Sequence, residues 1–370
     1  MMRRVNYKRT LLITVFVFII VVSTLNVMWE LIVLRVHGSY DNDLKVFSES
    51  LETTINGEGL FFNEIEWKAH GAWNHFGTHN SPILFLLLPV YAIWQEPLLL
   101  NVLQILFVGF GALPLFKLAR EVLKDERKAF IISISYLLNP ITHGIVRHDF
   151  HPCVLGVPFM FLFAYYVAKN ETKRALIAAL LVLSVKEDAG LFLIAYAMFE
   201  VLRKHGFRIE LWFKERQAVM WALLGTAWFL ISIFIVIPHF NVAHKYPYFA
   251  LYEGDKSKTF AFASLKLAVF MISLALLPLR DFAYFAPIAA LWLENALANR
   301  PLQGAIGWQH DYMMLPMGFI VLVYALKERD FNLKALIRLN FILMLLFSPF
   351  SPLSKLLFDK FVYNALWWLY

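Results

Sequence analysis

The chain has 370 residues, 60% of them hydrophobic and only 16% charged, with 16% aromatic and a net charge of +7. A soluble domain is nearer ~45–50% apolar and ~25% charged, so one core could not hide this excess, which excludes a soluble enzyme, a nucleic-acid-binding protein and a disordered tail. The composition is that of an all-α polytopic protein with lipid for its outer solvent, and the lone Cys153 rules out an internal disulfide and a Cys-based zinc cage.

Taken in chain order, the basic start Arg3-Arg4…Lys8-Arg9 leads into a first apolar run, Leu11 to Leu34. It is too long for a signal peptide and lacks a small-residue cleavage pattern, so it reads as a retained anchor. The segment 35–97 comes next as the longest polar connection. In it Tyr40, Leu44, Phe47, Leu51 and Ile55 recur at helical spacing, with Asp43, Lys45, Glu49 and Glu52 between them. This predicts an amphipathic helix on the membrane surface, capped by Ser39, stopped at Asn56-Gly57, and carrying Asp41 in its first turn. Pro82 to Trp94 has 13 residues, too short to cross, and is placed as an interfacial or re-entrant piece.

Ten further apolar runs follow, near 98–117, 129–141, 153–168, 174–186, 189–202, 218–237, 262–279, 282–298, 311–326 and 335–349. With the N-terminus inside, the inner connections of this eleven-span array carry 22 Lys and Arg and the outer ones 11. That bias orients the chain with its N-terminus cytoplasmic and its C-terminus outside, as a multi-pass protein of the plasma membrane. Lys266 alone lies within a span, where it is expected to snorkel outward. With no linker and no internal repeat, residues 1–370 form one membrane domain, ending in a short outer stub (350–370) whose aromatics suit the interface.

This orientation puts ten of the eleven histidines outside. Ionisable groups at membrane depth are costly and mark a functional cavity by default, although outer loops need polar residues in any case. Asp41, just above the first span, is placed to accept a proton from a substrate hydroxyl or to ligate a divalent cation, or else simply complements a helix dipole. His75 and His79, four apart, have metal-ligand spacing, but Gly77 and Pro82 weaken a shared helical face and no HExxH is present. In Arg147-His148-Asp149-Phe150-His151-Pro152, Arg147 either pairs with Asp149 or joins the histidines in holding a phosphate. Lys186-Glu187-Asp188 either neutralises itself or offers its lysine to a lipid phosphate. Trp308-Gln309-His310-Asp311-Tyr312 mixes aromatic faces with donors, as carbohydrate sites and aromatic belts both do.

The order Tyr40-Asp41, His79-Asn80-Ser81-Pro82-Ile83-Leu84, Asp149-Phe150-His151-Pro152 and Lys186-Glu187-Asp188-Ala189-Gly190-Leu191 resembles the predicted membrane proteins of the domain of unknown function 2079 family, over about residues 38–325. That family in turn looks like the GT-C class of glycosyltransferases, which use polyprenyl-phosphate-linked sugars. The resemblance implies a GT-C-like fold with surface helices in the first outer loop. It gives Asp41, with Asp43 as understudy, the role of base or metal-binding carboxylate, and assigns the lipid phosphate to Lys186, Arg147 or His79, with His148 and His151 beside them. Asp149, Glu187, Asp188, Trp308, His310 and Tyr312 support them on the outer face. The pattern departs where Asn42 separates the two aspartates, where Cys153 stands in place of an aspartate, and where about twenty residues replace a C-terminal soluble domain. A glycosyltransferase acting on a polyprenyl-phosphate sugar, a transporter or flippase, and a non-catalytic scaffold in membrane lipid are the readings that follow.

Overall fold

A computed structural model describes residues 6–147, 149–329 and 331–358. Every named element among them is helical, and the single strand-like pairing is an isolated antiparallel bridge between Ala72 and Asn241. The segment after α1 (Tyr7–His37) holds α2 (Asn42–Ile55), α3 (Glu64–His70) and α4 (Leu84–Ile93). The bundle continues with α5 (Pro97–Phe110), α6 (Ala112–Leu123), α7 (Glu126–Leu137), α8 (Pro140–Gly144), α9 (Val157–Ala168), α10 (Thr172–Leu183) and α11 (Gly190–His205). It closes with α12 (Ile209–Trp212), α13 (Arg216–Ile231), α14 (Ile237–His239), α15 (Ser257–Ser273), α16 (Phe282–Ala296), α17 (Pro301–Gly304), α18 (Met314–Glu328), α19 (Leu333–Phe347) and α20 (Pro352–Phe358).

Among the described residues three helical runs are long and apolar enough to cross a bilayer unaided: Tyr7–His37, Pro97–Leu123 and Arg216–His239. Each of the other eight expected spans contains a shorter helix. Burial separates lipid-facing helices from interior ones. On α1, Ile13, Phe16, Val17, Ile20 and Val21 are exposed while Leu11, Val15, Ile19 and Val22 are buried, the stripe expected of a helix with one face on the bundle and one on lipid. In α18, by contrast, every residue from Met314 to Leu326 is buried. A helix apolar all round belongs in the middle, and α18 packs against α6, α9 and α16 as the central post.

Two details differ from expectation. The helix α2 starts at Asn42 with Asp41, not Ser39, in the cap position, and the Asp41 side chain makes no capping hydrogen bond. Lys266 does not snorkel: it is 1% exposed and paired with Asp311 at 2.8 Å, because the chain of residues 300–312 folds back over α15 and supplies a partner within the protein. The C-terminal stub beyond Phe358 and its aromatic ending lie outside the described residues.

Close backbone approach fixes one contact that matters below. Gly190 opens α11 and Gly225 lies in α13; a Cβ on Gly190 would stand 2.2 Å from the Gly225 carbonyl oxygen. Only two residues without side chains let these helices meet so closely. Beyond that contact α13 widens into a π-turn, Ser232–Val236, where the Ile237 N–H bonds to the Ser232 carbonyl. Pro238 follows, and its missing N–H favours a local break from the α pattern.

Candidate functional site

Sequence-distant loops converge at one end of the bundle around a cavity of about 310 Å³. Three short polar segments build it. The first is the start of α2. Its Asp43 and Leu44 N–H groups donate to Asp149 Oδ2 at 2.9 and 3.2 Å, so Asp149 supplies from another part of the chain the cap that Asp41 does not. This places Asp43 in the first turn, on the cavity wall, with its side chain 53% accessible. His151 Nε2 donates to Asp43 Oδ2 at 2.9 Å and its Nδ1 to the Asp149 carbonyl at 3.1 Å. Gln104 of α5 holds the same stretch, accepting from the His151 N–H at 2.8 Å.

The second segment is the turn Glu187–Ala189 between α10 and α11. Lys186 Nζ donates to Asp188 Oδ2 at 2.8 Å, and the Tyr312 hydroxyl donates to the other Asp188 oxygen. Of the two self-neutralising pairs that the sequence allowed, Lys186–Asp188 is therefore the one formed. Glu187 is turned away and buried, accepting from His79 Nδ1 at 2.8 Å, the Asn80 N–H at 3.1 Å and the Tyr246 hydroxyl at 3.1 Å. The His79 ring lies flat on Tyr248 with centroids 4.8 Å apart. The π-turn completes this wall, since Ser232 accepts from Asn80 at 2.8 Å and Ile233 lines the cavity.

The third segment is the turn Gln309–Asp311 ahead of α18. Asn295 of α16 donates to the His310 carbonyl at 3.0 Å, and Lys266 donates to the Gln303 carbonyl at 2.8 Å besides pairing with Asp311. These bonds present His310, Tyr312, Gln303, Gln309 and Arg300 to the cavity.

Electrostatics separates the acids. Burial alone would raise Asp43, but the hydrogen bond and charge of His151, aided by Arg300 and His79, bring it below the usual carboxylate range. Burial and the neighbouring Asp43 charge push Asp149 well above that range. Negative charge is therefore favoured on Asp43 over Asp149, the divergence expected of neighbouring carboxyls in unlike surroundings. Burial disfavours a protonated His151, yet its bond to Asp43 and the two aspartates raise it above an ordinary histidine. Glu187, despite burial, is held well below normal by His79 and Lys186. His310 is driven far down by burial and the charges of Lys186, Lys266 and Arg300, so it stands neutral as a hydrogen-bonding group.

Of the residues singled out in the sequence, Asp43, His79, His151, Lys186, Asp188, His310 and Tyr312 line this one cavity. Asp149 and Glu187 stand behind it as supports. Asp41, Arg147 and Trp308 do not line it: Arg147 lies over the Trp29 ring at 5.8 Å, and Trp308 packs on Leu302 and Ala305. Burial, followed by the charge of Asp43, raises Asp41 above an ordinary aspartate. His148 lies outside the described residues. Among the described residues the group able to hold a metal ion is Asp43, Asp149 and His151, with ligand atoms within 4.8 Å of one another. It is centred one residue pair beyond Asp41. His75 and His79 both line the cavity with their rings 5.9 Å apart, His75 bound through Nδ1 to Glu66 at 3.0 Å and His79 to Glu187 at 2.8 Å.

The cavity also uses residues that sequence reasoning left without a role: Arg300, Glu294, Glu66 and the aromatics Tyr246, Tyr248, Phe249 and Tyr252. Glu294 carried a signal, being an acid within an apolar run. The run Tyr246-Pro247-Tyr248-Phe249 carried one as well, but Glu66 had none. The family profile described as Predicted membrane protein (DUF2079) matches residues 37–369. No curated protein matches the chain.

Proposed function

The chain belongs to the DUF2079 family of predicted membrane proteins, and from that premise we propose that its cavity transfers a sugar from a polyprenyl-phosphate donor to an acceptor hydroxyl at the outer face, in the manner of GT-C glycosyltransferases. One observation carries the reading: a charged carboxylate, Asp43, shares a 310 Å³ cavity with Lys186 and Arg300 and with an apolar wall of Phe229 and Ile233. The helix bearing that wall exposes Leu230, Ile231 and Phe234, so a polyprenyl chain in the bilayer has an apolar route to the polar chamber.

In this mechanism Asp43 accepts the proton of the acceptor hydroxyl as its oxygen bonds to the anomeric carbon. The bond from that carbon to the donor phosphate breaks, and polyprenyl phosphate leaves with the electron pair toward Lys186 and Arg300. Stabilising a leaving anion with fixed charges is commonly the largest catalytic contribution. Asp43 takes the role that the resemblance gave to Asp41, because Asp43 faces the chamber. His151 keeps it ionised, and the flat Tyr248–His79 pair offers a face to a sugar ring. A divalent cation, where one takes part, would be held by Asp43, Asp149 and His151 and would supply Lewis acidity there. Eleven crossings in the plasma membrane, with the N-terminus cytoplasmic, put this end of the bundle outside.

The test is purified protein in liposomes with undecaprenyl-phosphate glucose and mannose and a panel of hydroxyl acceptors. Donor consumption is expected with wild type and to fall by roughly 10²–10⁴-fold in Asp43→Asn, the usual contribution of a general base. Asp41→Asn is expected to retain most of it. Donor that changes leaflet without being consumed would replace this reading with a flippase.

A further inference from the structure

At the other end of the molecule, the end of α11, the start of α16 and the last turn of α18 enclose a second cavity of about 270 Å³. Its lining is small and mixes donors with acceptors. Two of its residues are donors. Arg203 is tied by Nη2 to Glu200 at 3.1 Å and lies over the Tyr324 ring at 4.6 Å, which leaves its buried Nε without a hydrogen bond. Tyr284 is 2% exposed, and its hydroxyl is directed toward Glu328 across the cavity. A native protein rarely buries a donor such as the Arg203 Nε unless something absent from the bare chain satisfies it. Two are acceptors, Asp281 and Glu328; Asp281 spends one oxygen on the Ala283 N–H at the start of α16.

The rim is apolar and outward-facing. Phe207 and Phe282 pack against each other with centroids 5.2 Å apart and are 69% and 54% exposed, with Leu279 beside them. Aromatic side chains in this position lie at the level of lipid head groups. A simple anion would meet two carboxylates and a simple amine an arginine, so neither fits the mixed lining.

We propose that this cavity binds an amine-bearing phosphate ester, the phosphoethanolamine head group of a membrane lipid, with its phosphate on Arg203 and Tyr284 and its ammonium on Asp281 and Glu328. The acyl chains then run over Phe207 and Phe282 into the bilayer. The site lies at the opposite end from the transfer cavity and stands whether or not that function holds.

The measurement is native mass spectrometry of lipid retained by the full chain, exchanged between nanodiscs of phosphatidylethanolamine and of phosphatidylglycerol. Retention of the former is expected to exceed the latter by about tenfold, the size of one hydrogen bond to a charged group. Glu328→Gln, at an exposed position, is expected to bring the ratio toward one, and Tyr284→Phe to weaken retention of both lipids. In detergent, free phosphoethanolamine raising the unfolding temperature in lipid-stripped protein, with inorganic phosphate inert, would assign the same chemistry to a soluble ligand. Equal retention of the two lipids, or a preference unmoved in Glu328→Gln, overturns the proposal.

Discussion

Asp41 and Asp43 differ by two positions and by almost everything that matters to a substrate. The sequence shows both as acids above the first span; it does not show which one faces the chamber. That choice is made by Asp149, more than a hundred residues away, whose carboxyl takes the first N–H groups of α2 and so sets where the helix starts. The same long-range capture explains Lys186, Glu187 and Asp188, three adjacent charges with separate partners. Their presence was legible as polar residues where apolar ones are the rule, whereas their pairing depends on His79 and Tyr312 from other loops. A pH dependence belongs at this scale. Because His151 is raised in the folded protein, its bond to Asp43 stabilises fully below the unfolded histidine value of about 6.5. That stabilisation is lost as pH rises through the folded value. Unfolding temperature in detergent is therefore expected to decline above neutral pH in wild type, and the decline to shrink in His151→Asn.

Helices were the most readable feature, since an apolar run of bilayer length has few alternatives. The run at 174–186 corresponds to α10 (Thr172–Leu183) and that at 189–202 to α11 (Gly190–His205). What periodicity does not reveal is where helices yield to turns, as at the 3₁₀ stretch Pro152–Gly156 or the π-turn Ser232–Val236, because neighbouring elements settle those. The contact of Gly190 with Gly225 is likewise invisible in either helix alone. It sets the distance between Lys186 and Asp188, just before Gly190, and Phe229 and Ile233, just after Gly225. Gly190→Ala forces a methyl onto the Gly225 carbonyl and is expected to cost about 1–3 kcal/mol, as overpacking does. Chemical unfolding in detergent measures that cost, and donor consumption is expected to fall with it as the cavity walls separate.

For the whole molecule, the buried pair of Lys266 and Asp311, each 1% exposed, ties α15 to the segment that carries His310 and Tyr312. Hydropathy identified Lys266 as an oddity in a span but had no means of finding its partner. Removing one charge of a buried pair strands the other at a cost of about 3–5 kcal/mol. Lys266→Met is expected to lose that much stability, with Lys266→Met/Asp311→Leu recovering most of it in the same unfolding assay. The two cavities occupy opposite ends of one helix. Tyr312 stands just before α18 at the first cavity; Tyr324 and Glu328 belong to its far end, at the second. Its fifteen residues make a post about 22 Å long, enclosed on every side until its last turn. A post so enclosed cannot move without displacing its neighbours, because close-packed interiors transmit strain. Any displacement of this helix would be felt at both tips together, coupling the two cavities through one rigid element.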